Sequence, residues 1–265
     1  MFDLDAYLYR IGAPRDPTLA ELHRAHVMAI PFENLDPRAG IPVKLDSDSL
    51  QRKLVDEQRG GYCFEHNVLF AHALEALGAD VEPILARVRV GAPVGTIRGR
   101  THLLLRVTMD GQIWHADVGF GVGTLLEPIP FGPSGVHEQW GWRFRVVPEG
   151  RGLVLQAQDG DAWRDAYAFE PEPSPPIDIE LGNWYTTTHP DSDFVYGLIV
   201  GRHLPDGTRL WLSDWSGTLT LTRSTPDDSI SSQHQPDEIP GLLSDHFGLP
   251  GFAFDADAQL VRGVE

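Results

Sequence analysis

Cys63, His102 and Asp117 are a thiol, an imidazole and a carboxylate, the three groups that together can run nucleophilic acyl chemistry. Cys63 is the chain's only cysteine, and it stands in Arg59-Gly60-Gly61-Tyr62-Cys63-Phe64-Glu65, where a glycine pair runs into the start of an apolar helix. A thiol at a helix N-terminus feels the positive end of the dipole and unpaired N–H groups, so its pKa is expected to fall. The plain alternative is a small buried hydrophobe. The residues around it must decide between the two.

Thr101-His102 and Asp117 are placed together by one turn. If Asp110-Gly111 forms a two-residue hairpin, Met109 faces Gln112, Leu104 faces Asp117 and His102 faces Gly119. His102 and Asp117 are then diagonal neighbours on one face, ~7–8 Å apart at Cα and within reach of a side-chain hydrogen bond. Gly119 is expected to leave room for the imidazole. A base oriented by a carboxylate is what a thiol nucleophile requires. His115 shares the parity, opposite Arg106, and is the rival base; a place near an exposed hairpin end argues against it. Cys63 with His66 supplies two ligands where structural zinc needs four, so no metal site is expected. His66 reads as a helix-surface or core-edge residue, and Glu65 as a first-turn carboxylate.

The elements that must carry these groups are legible in outline. Thr18 and Glu21 form a capping box opening a helix from Leu19 to Ile30, with Pro31 closing it. A second helix starts near Ser47. In the third, Val68, Leu69, Ala71, Leu74 and Leu77 recur at helical spacing after Cys63, and Gly78 stops it. From Val81 the period changes to strands: 84–90, 102–107, 113–118, 142–147 and 153–157, which predicts a meander or small barrel. The proline-rich 170–176 reads as a connector and 177–185 as a short helix. Strands are expected at 195–200, 209–212 and 219–222, and a closing helix at 237–247.

Composition narrows the partners. At 265 residues the chain is longer than a usual single domain, and Lys+Arg 21 against Asp+Glu 38 gives a formal net charge of −17. Such a charge repels nucleic acid and anionic membrane, and no stretch reaches the ~20 apolar residues of a spanning helix. The opening Met1-Phe2-Asp3-Leu4-Asp5 lacks the positive flank of a signal peptide, and a lone cysteine suits a reducing compartment. The expectation is a soluble, cytoplasmic protein of open oligomeric state.

Five blocks in register resemble the arylamine N-acetyltransferase family: Pro31-Phe32-Glu33-Asn34-Leu35-Asp36, Arg59 to Glu65, Thr101-His102, Asp117-Val118-Gly119-Phe120-Gly121, and Trp184-Tyr185-Thr186-Thr187-Thr188-His189-Pro190-Asp191-Ser192-Asp193-Phe194. They fit from about residue 1 to about residue 200. The resemblance implies an α+β fold with a cysteine-protease-like Cys-His-Asp core. A helical domain (1–80) would carry the cysteine, a β-barrel (81–165) the histidine and aspartate, then a connecting helical region (166–200) and an α/β lid (201–265). It further implies Cys63, His102 and Asp117 as the catalytic triad. Phe32, Phe120 and Phe194 would line the acceptor pocket, and Thr101, Phe120 and Gly121 would approach acetyl-CoA. Without the motif the three phenylalanines read as core packing. The loop 91–99 and everything after about residue 205 resemble the family only loosely.

The implied activity is ping-pong acetyl transfer from acetyl-CoA to an arylamine, arylhydrazine or arylhydroxylamine through acetyl-Cys63. The Cys63 backbone N–H is one oxyanion donor, and Arg87, Arg89, Arg98 or Arg100 would assist a polyanionic coenzyme. Two alternatives share the triad: an amide synthase closing a macrolactam from a carrier-bound polyketide, and a Cys-His-Asp hydrolase. A non-enzymatic binding module would make the pairing of His102 with Asp117 a coincidence.

Overall fold

The structure is a computed structural model that describes residues 2–93, 95–255 and 259–262. Asp3 caps α1 (Leu4–Ile11) by accepting from the Ala6 N–H, and Gly12 ends it in the left-handed region at φ 68°. α2 (Leu19–Ala29) opens on the predicted capping box, Glu21 Oε2 accepting from the Thr18 N–H at 2.9 Å. After it come β1 (Phe32–Glu33), α3 (Leu35–Arg38) and α4 (Ser47–Leu50), the last continuing as a π-helical turn over Gln51–Asp56. α5 (Cys63–Ala76) begins at the cysteine itself. Leu22, Leu50, Leu54, Leu69, Phe70 and Leu74 fill the centre of this helical part and pack on Leu105 and Val107 of the neighbouring sheet.

That sheet has eight antiparallel strands and nearly closes into a barrel. In chain order they are β2 (Asp80–Val88), β3 (His102–Met109), β4 (Gln112–Ala116), β5 (Ile129–Pro130), β6 (His137–Gln139), β7 (Trp142–Glu149), β8 (Gly152–Asp159) and β9 (Ala162–Phe169). They lie side by side as β5-β4-β3-β2-β9-β8-β7-β6. The predicted hairpin register is present: Met109 faces Gln112, Arg106 faces His115, and the ladder ends at Leu105 opposite Ala116. β2 starts four residues earlier than the apolar run suggested, and β9 was not foreseen although it closes the meander against β2. β9 runs on to Phe169, past residue 165. Ile84, Leu104, Phe144, Val146, Leu155 and Tyr167 fill the interior.

α6 (Pro176–Thr188) and α7 (Asp193–Tyr196) lead to β10 (Ile199–His203), β11 (Arg209–Ser213), β12 (Thr220–Ser224) and β13 (Ser229–Gln233). The expected strand at 195–200 begins only at Ile199, because Ser192 caps a short helix by accepting from the Phe194 N–H. β1 joins these strands in the order β1-β10-β11-β12-β13, so a segment between α2 and α3 is stitched into the C-terminal sheet. α8 (Ile239–Phe247) packs Leu242, Leu243 and Phe247 on Leu198, Val200 and Leu212, and β14 (Phe252–Phe254) pairs with β15 (Leu260–Arg262). Among the described residues no helix is long and apolar enough to cross a membrane.

Candidate active site

Backbone crowding sets the start of α5. The Glu33 N–H donates to the Gly61 carbonyl at 2.7 Å and the Gly61 N–H to the Pro31 carbonyl at 3.3 Å, so the two segments run side by side. A Cβ on Gly60 would stand 2.2 Å from the Pro31 oxygen, which is why the motif carries glycine there. Below them runs a chain of buried charges. Arg59 bonds Glu33 Oε1 at 2.7 Å and Asp36 Oδ1 at 2.8 Å, and Lys53 bonds Asp36 Oδ2 at 2.7 Å and Glu65 Oε1 at 2.8 Å. Glu65 also accepts from the Tyr62 N–H at 3.1 Å, so it is a buried anchor as well as a first-turn carboxylate.

The residues on either side of His102 hold the sulfur. Cys63 Sγ donates to the Thr101 carbonyl at 3.6 Å, and Leu103, one residue beyond His102, packs with Cys63 in one apolar cluster. Cys63 is 4 % exposed. Burial pushes its thiol pKa up, and the nearby Asp117 charge pushes it further, against the backbone N–H groups of Leu103, Phe64 and Cys63 that favour the thiolate. The expected lowering by the helix N-terminus is therefore corrected: with α5 starting inside the molecule, desolvation outweighs the dipole.

His102 Nε2 donates to Asp117 Oδ2 at 2.7 Å, both groups being buried, and this tautomer leaves Nδ1 as the basic nitrogen. Asp117 is held at four points. Oδ2 also accepts from the Tyr167 hydroxyl at 2.8 Å, while Oδ1 accepts from Asn67 Nδ2 and the Gly119 N–H, each at 3.0 Å. Burial would raise this carboxyl, but the His102 charge and these hydrogen bonds outweigh it and hold the pKa at about 2. Its own backbone N–H donates to His23 Nε2 at 3.2 Å. Asn67 additionally donates to the Leu103 carbonyl at 2.8 Å and accepts from the Val118 N–H at 3.2 Å, tying α5, β3 and the segment after β4 together.

Asn67, Tyr167 and His23 were missed in the sequence. Asn67 had a signal, lying one helical turn after Cys63 and so on its face; Tyr167 and His23 come from distant segments and had none. Gly119 makes room for α5 rather than for the imidazole: a Cβ there would meet Cys63 Cα at 2.9 Å and Asn67 Nδ2 at 2.7 Å.

His115 has the expected parity and partner but not the expected exposure. β5 pairs beside it, with Ile129 directly opposite, and Phe131, Tyr167 and Phe169 pack on its ring, so it is fully buried, bonded through Nε2 to the Tyr167 hydroxyl at 2.8 Å. Burial drives its pKa down to about 4. His66 is likewise buried and not on a helix surface: Nε2 donates to the Pro31 carbonyl at 3.2 Å, and Nδ1 accepts from His26 Nε2 at 2.9 Å. Among the described residues no group of three or more His, Cys, Asp or Glu side chains is placed to hold a metal ion.

The three phenylalanines gather around these groups. Phe120 meets the His102 ring edge-on with centroids 4.8 Å apart. Phe32 meets Phe194 at 6.2 Å, and Phe194 meets Tyr62 at 5.6 Å. Trp211 of β11 joins them, 6.1 Å from Phe32, and a Cβ on Gly121 would lie 3.2 Å from its ring. Thr101 contributes its carbonyl at the sulfur, and the Gly121 carbonyl takes a hydrogen bond from His203 Nε2 at 3.0 Å. Trp211 lies in the region where motif matching was loosest.

A family model described as N-acetyltransferase matches residues 17–251. The chain is 44% identical over 208 residues to an arylamine N-acetyltransferase of Mycolicibacterium smegmatis, covering 75% of each chain. It is 35% identical over 183 residues to the proansamycin X synthase of Amycolatopsis mediterranei, covering 65% of this chain and 69% of that one. Its fold superposes with a TM-score of 0.88 on Mycobacterium marinum arylamine N-acetyltransferase in complex with CoA, at 36% identity and 93% coverage of both chains. The α+β, cysteine-protease-like class holds with it. The chain belongs to the arylamine N-acetyltransferase family and is an acyltransferase.

Proposed function

We propose that the protein transfers an acetyl group from acetyl-CoA to an arylamine, arylhydrazine or arylhydroxylamine through acetyl-Cys63, by a ping-pong route. The observation that carries this reading is the placing of Cys63 Sγ between the neighbours of His102, with His102 Nε2 on the Asp117 carboxylate. Burial favours the neutral thiol, so attack requires a base to take its proton. The thiol proton passes to His102 Nδ1 as sulfur attacks, and the imidazolium forms beside an Asp117 that is ionised throughout.

Attack forms the Sγ–C bond and breaks the acetyl–sulfur bond of the donor; the proton on His102 leaves with the coenzyme thiolate. The acceptor nitrogen then attacks acetyl-Cys63 and gives a proton to His102, which returns it to the departing cysteine sulfur. Backbone N–H groups of Cys63 and its neighbours at the start of α5 stand ready for the developing oxyanion. An aromatic amine is weakly basic and uncharged near neutral pH, so Phe32, Phe120 and Phe194 can hold its ring apolarly.

Incubation with acetyl-CoA and no amine, followed by intact mass measurement, is expected to show one added acetyl group on the wild type and none on Cys63→Ala. A wild type that never gains the adduct sinks the reading. The similarity to a proansamycin X synthase supports a second reading, an amide synthase acting on a carrier-bound acyl chain. Single-turnover competition among an arylamine, a hydrazine and water ranks transferase against hydrolase, and a carrier-bound thioester that acylates Cys63 where acetyl-CoA does not favours the synthase.

A further inference from the structure

The loop after β4 carries Phe120, and it is held from two sides. From within, the Thr124 hydroxyl donates to the Asp117 carbonyl at 2.7 Å and accepts from the Phe120 N–H at 3.2 Å, while the Thr124 N–H donates to the Gly121 carbonyl at 3.2 Å. These bonds close a short 3₁₀ turn over Gly121–Gly123, with Gly121 in the left-handed region at φ 67°. From outside, the C-terminal sheet takes two of the loop's carbonyls. His203 Nε2 donates to that of Gly121 at 3.0 Å, and Arg209 Nη2 to that of Thr124 at 3.5 Å.

The register of β10 and β11 explains the grip. His203 stands opposite Arg209, and Gly201 opposite Trp211, so the four share one face of the sheet. Trp211 is wedged there: a Cβ on Gly201 would lie 2.9 Å from its ring and one on Gly121 3.2 Å. His203 and Arg209 are both buried, and among the described residues neither has a carboxylate partner. Burial and the Arg209 charge drive the His203 pKa to about 3, so the imidazole is neutral, and the carbonyl it meets fixes its proton on Nε2. Arg209 lies over the Trp142 ring, 3.7 Å from its centroid, and its Nε, like His203 Nδ1, has no hydrogen-bond partner. Two buried basic groups are less stable than an apolar filling of the same space. What sets this pair apart from such a filling is its two bonds to the loop.

We propose that His203, with Arg209 beside it, is a positioning residue for the acceptor: by gripping the loop's carbonyls it fixes the Phe120 ring and so sets how strongly the acetyl-enzyme prefers an aromatic acceptor over one without a ring. The proposal rests on the acyl-transfer reading above and on Phe120 as a wall of the acceptor pocket, and adds what holds that wall. Phe120 meets His102 and Tyr167 with ring centroids 4.8 Å apart in each case, so a shift of the loop moves the wall against the base. Selectivity for the acceptor is thereby placed partly in the C-terminal sheet, far along the chain from the cysteine.

The test measures the second-order rates at which phenylhydrazine and methylhydrazine discharge acetyl-Cys63 on the full chain. Coenzyme has left by that stage, so any donor contact of the loop drops out, and the nucleophilicity of each hydrazine cancels between wild type and variant. His203→Leu is expected to lower the ratio of the two rates roughly fivefold, the worth of one buried hydrogen bond. His203→Gln, whose side-chain N–H can reach the same carbonyl, should recover most of it. Phe120→Leu should remove the preference for the ring, and adding His203→Leu to it should lower the ratio no further. Equal slowing with both hydrazines, the ratio intact, marks His203 as merely structural and overturns the proposal. A preference that survives Phe120→Leu ends the reading of Phe120 as an acceptor wall, and the proposal with it. If His203→Leu does not fold, Arg209→Met carries the same comparison. Hydrogen exchange over residues 119–124 tests the grip apart from any reaction. Faster exchange in His203→Leu, restored in His203→Gln, is expected, and unchanged exchange overturns the proposal. Faster exchange in a protein that never forms the acetyl adduct ends the transferase reading and leaves the grip standing.

Discussion

Two histidines reach Asp117, and their surroundings give them different work. His102 bonds the carboxylate directly and keeps Nδ1 free, whereas His115 reaches it only through the Tyr167 hydroxyl. His102→Asn is expected to abolish alkylation of Cys63 by iodoacetamide at neutral pH. His115→Asn should retain alkylation while lowering stability by about 1–3 kcal/mol, since it disturbs a buried hydrogen bond; the reverse ranking would make His115 the base. The hairpin parity exposed this rivalry in the sequence, because the Asp110-Gly111 turn fixes which residues share a face. It could not show that His115 is buried, since that depends on Phe131, Tyr167 and Phe169, which reach its ring from other segments.

The elements that aim these side chains are wedged together by glycine and by buried charge. Gly119→Ala would press a methyl against the Cys63 backbone and Asn67, so a loss of about 1–3 kcal/mol is expected, with slower acetylation as α5 shifts; thermal melting and single-turnover rates measure both. Arg59→Ala removes the cation between Glu33 and Asp36. Glu33 is 0 % exposed, so leaving its charge unpaired is expected to cost about 3–5 kcal/mol. Chemical denaturation checks this, and a cost under 1 kcal/mol would show that water or Lys53 replaces the guanidinium. α2, α5 and the central hairpin were legible because caps, turn residues and apolar spacing are local. β13 was not, as Ser229-Ile230-Ser231-Ser232-Gln233 is exposed throughout and carries no apolar alternation.

Over the whole molecule the buried histidines set the response to acid. Burial lowers the pKa of His23, His66 and His115 to about 4 and of His203 to about 3, and that of His26 well below its usual value. The unfolded chain therefore takes up protons that the fold refuses, so stability is complete above about pH 6.5 and is lost as pH falls toward 4, by up to about 1.4 kcal/mol per pH unit for each histidine. Glu65, pushed up by burial to about 7, acts in the opposite direction, but one group does not reverse five. Denaturation midpoints at pH 7 and pH 5 test the sign; equal values would show that the histidines are hydrated. Sequence alone set Cys63 at a helix start and paired His102 with Asp117, because a helix start and a two-residue turn are short-range devices with fixed geometry. Only tertiary structure decided the burial of the thiol and the four-point grip on Asp117. Desolvation, hydrogen bonds between distant segments and pooled charge exist only once separate stretches of chain are packed against one another.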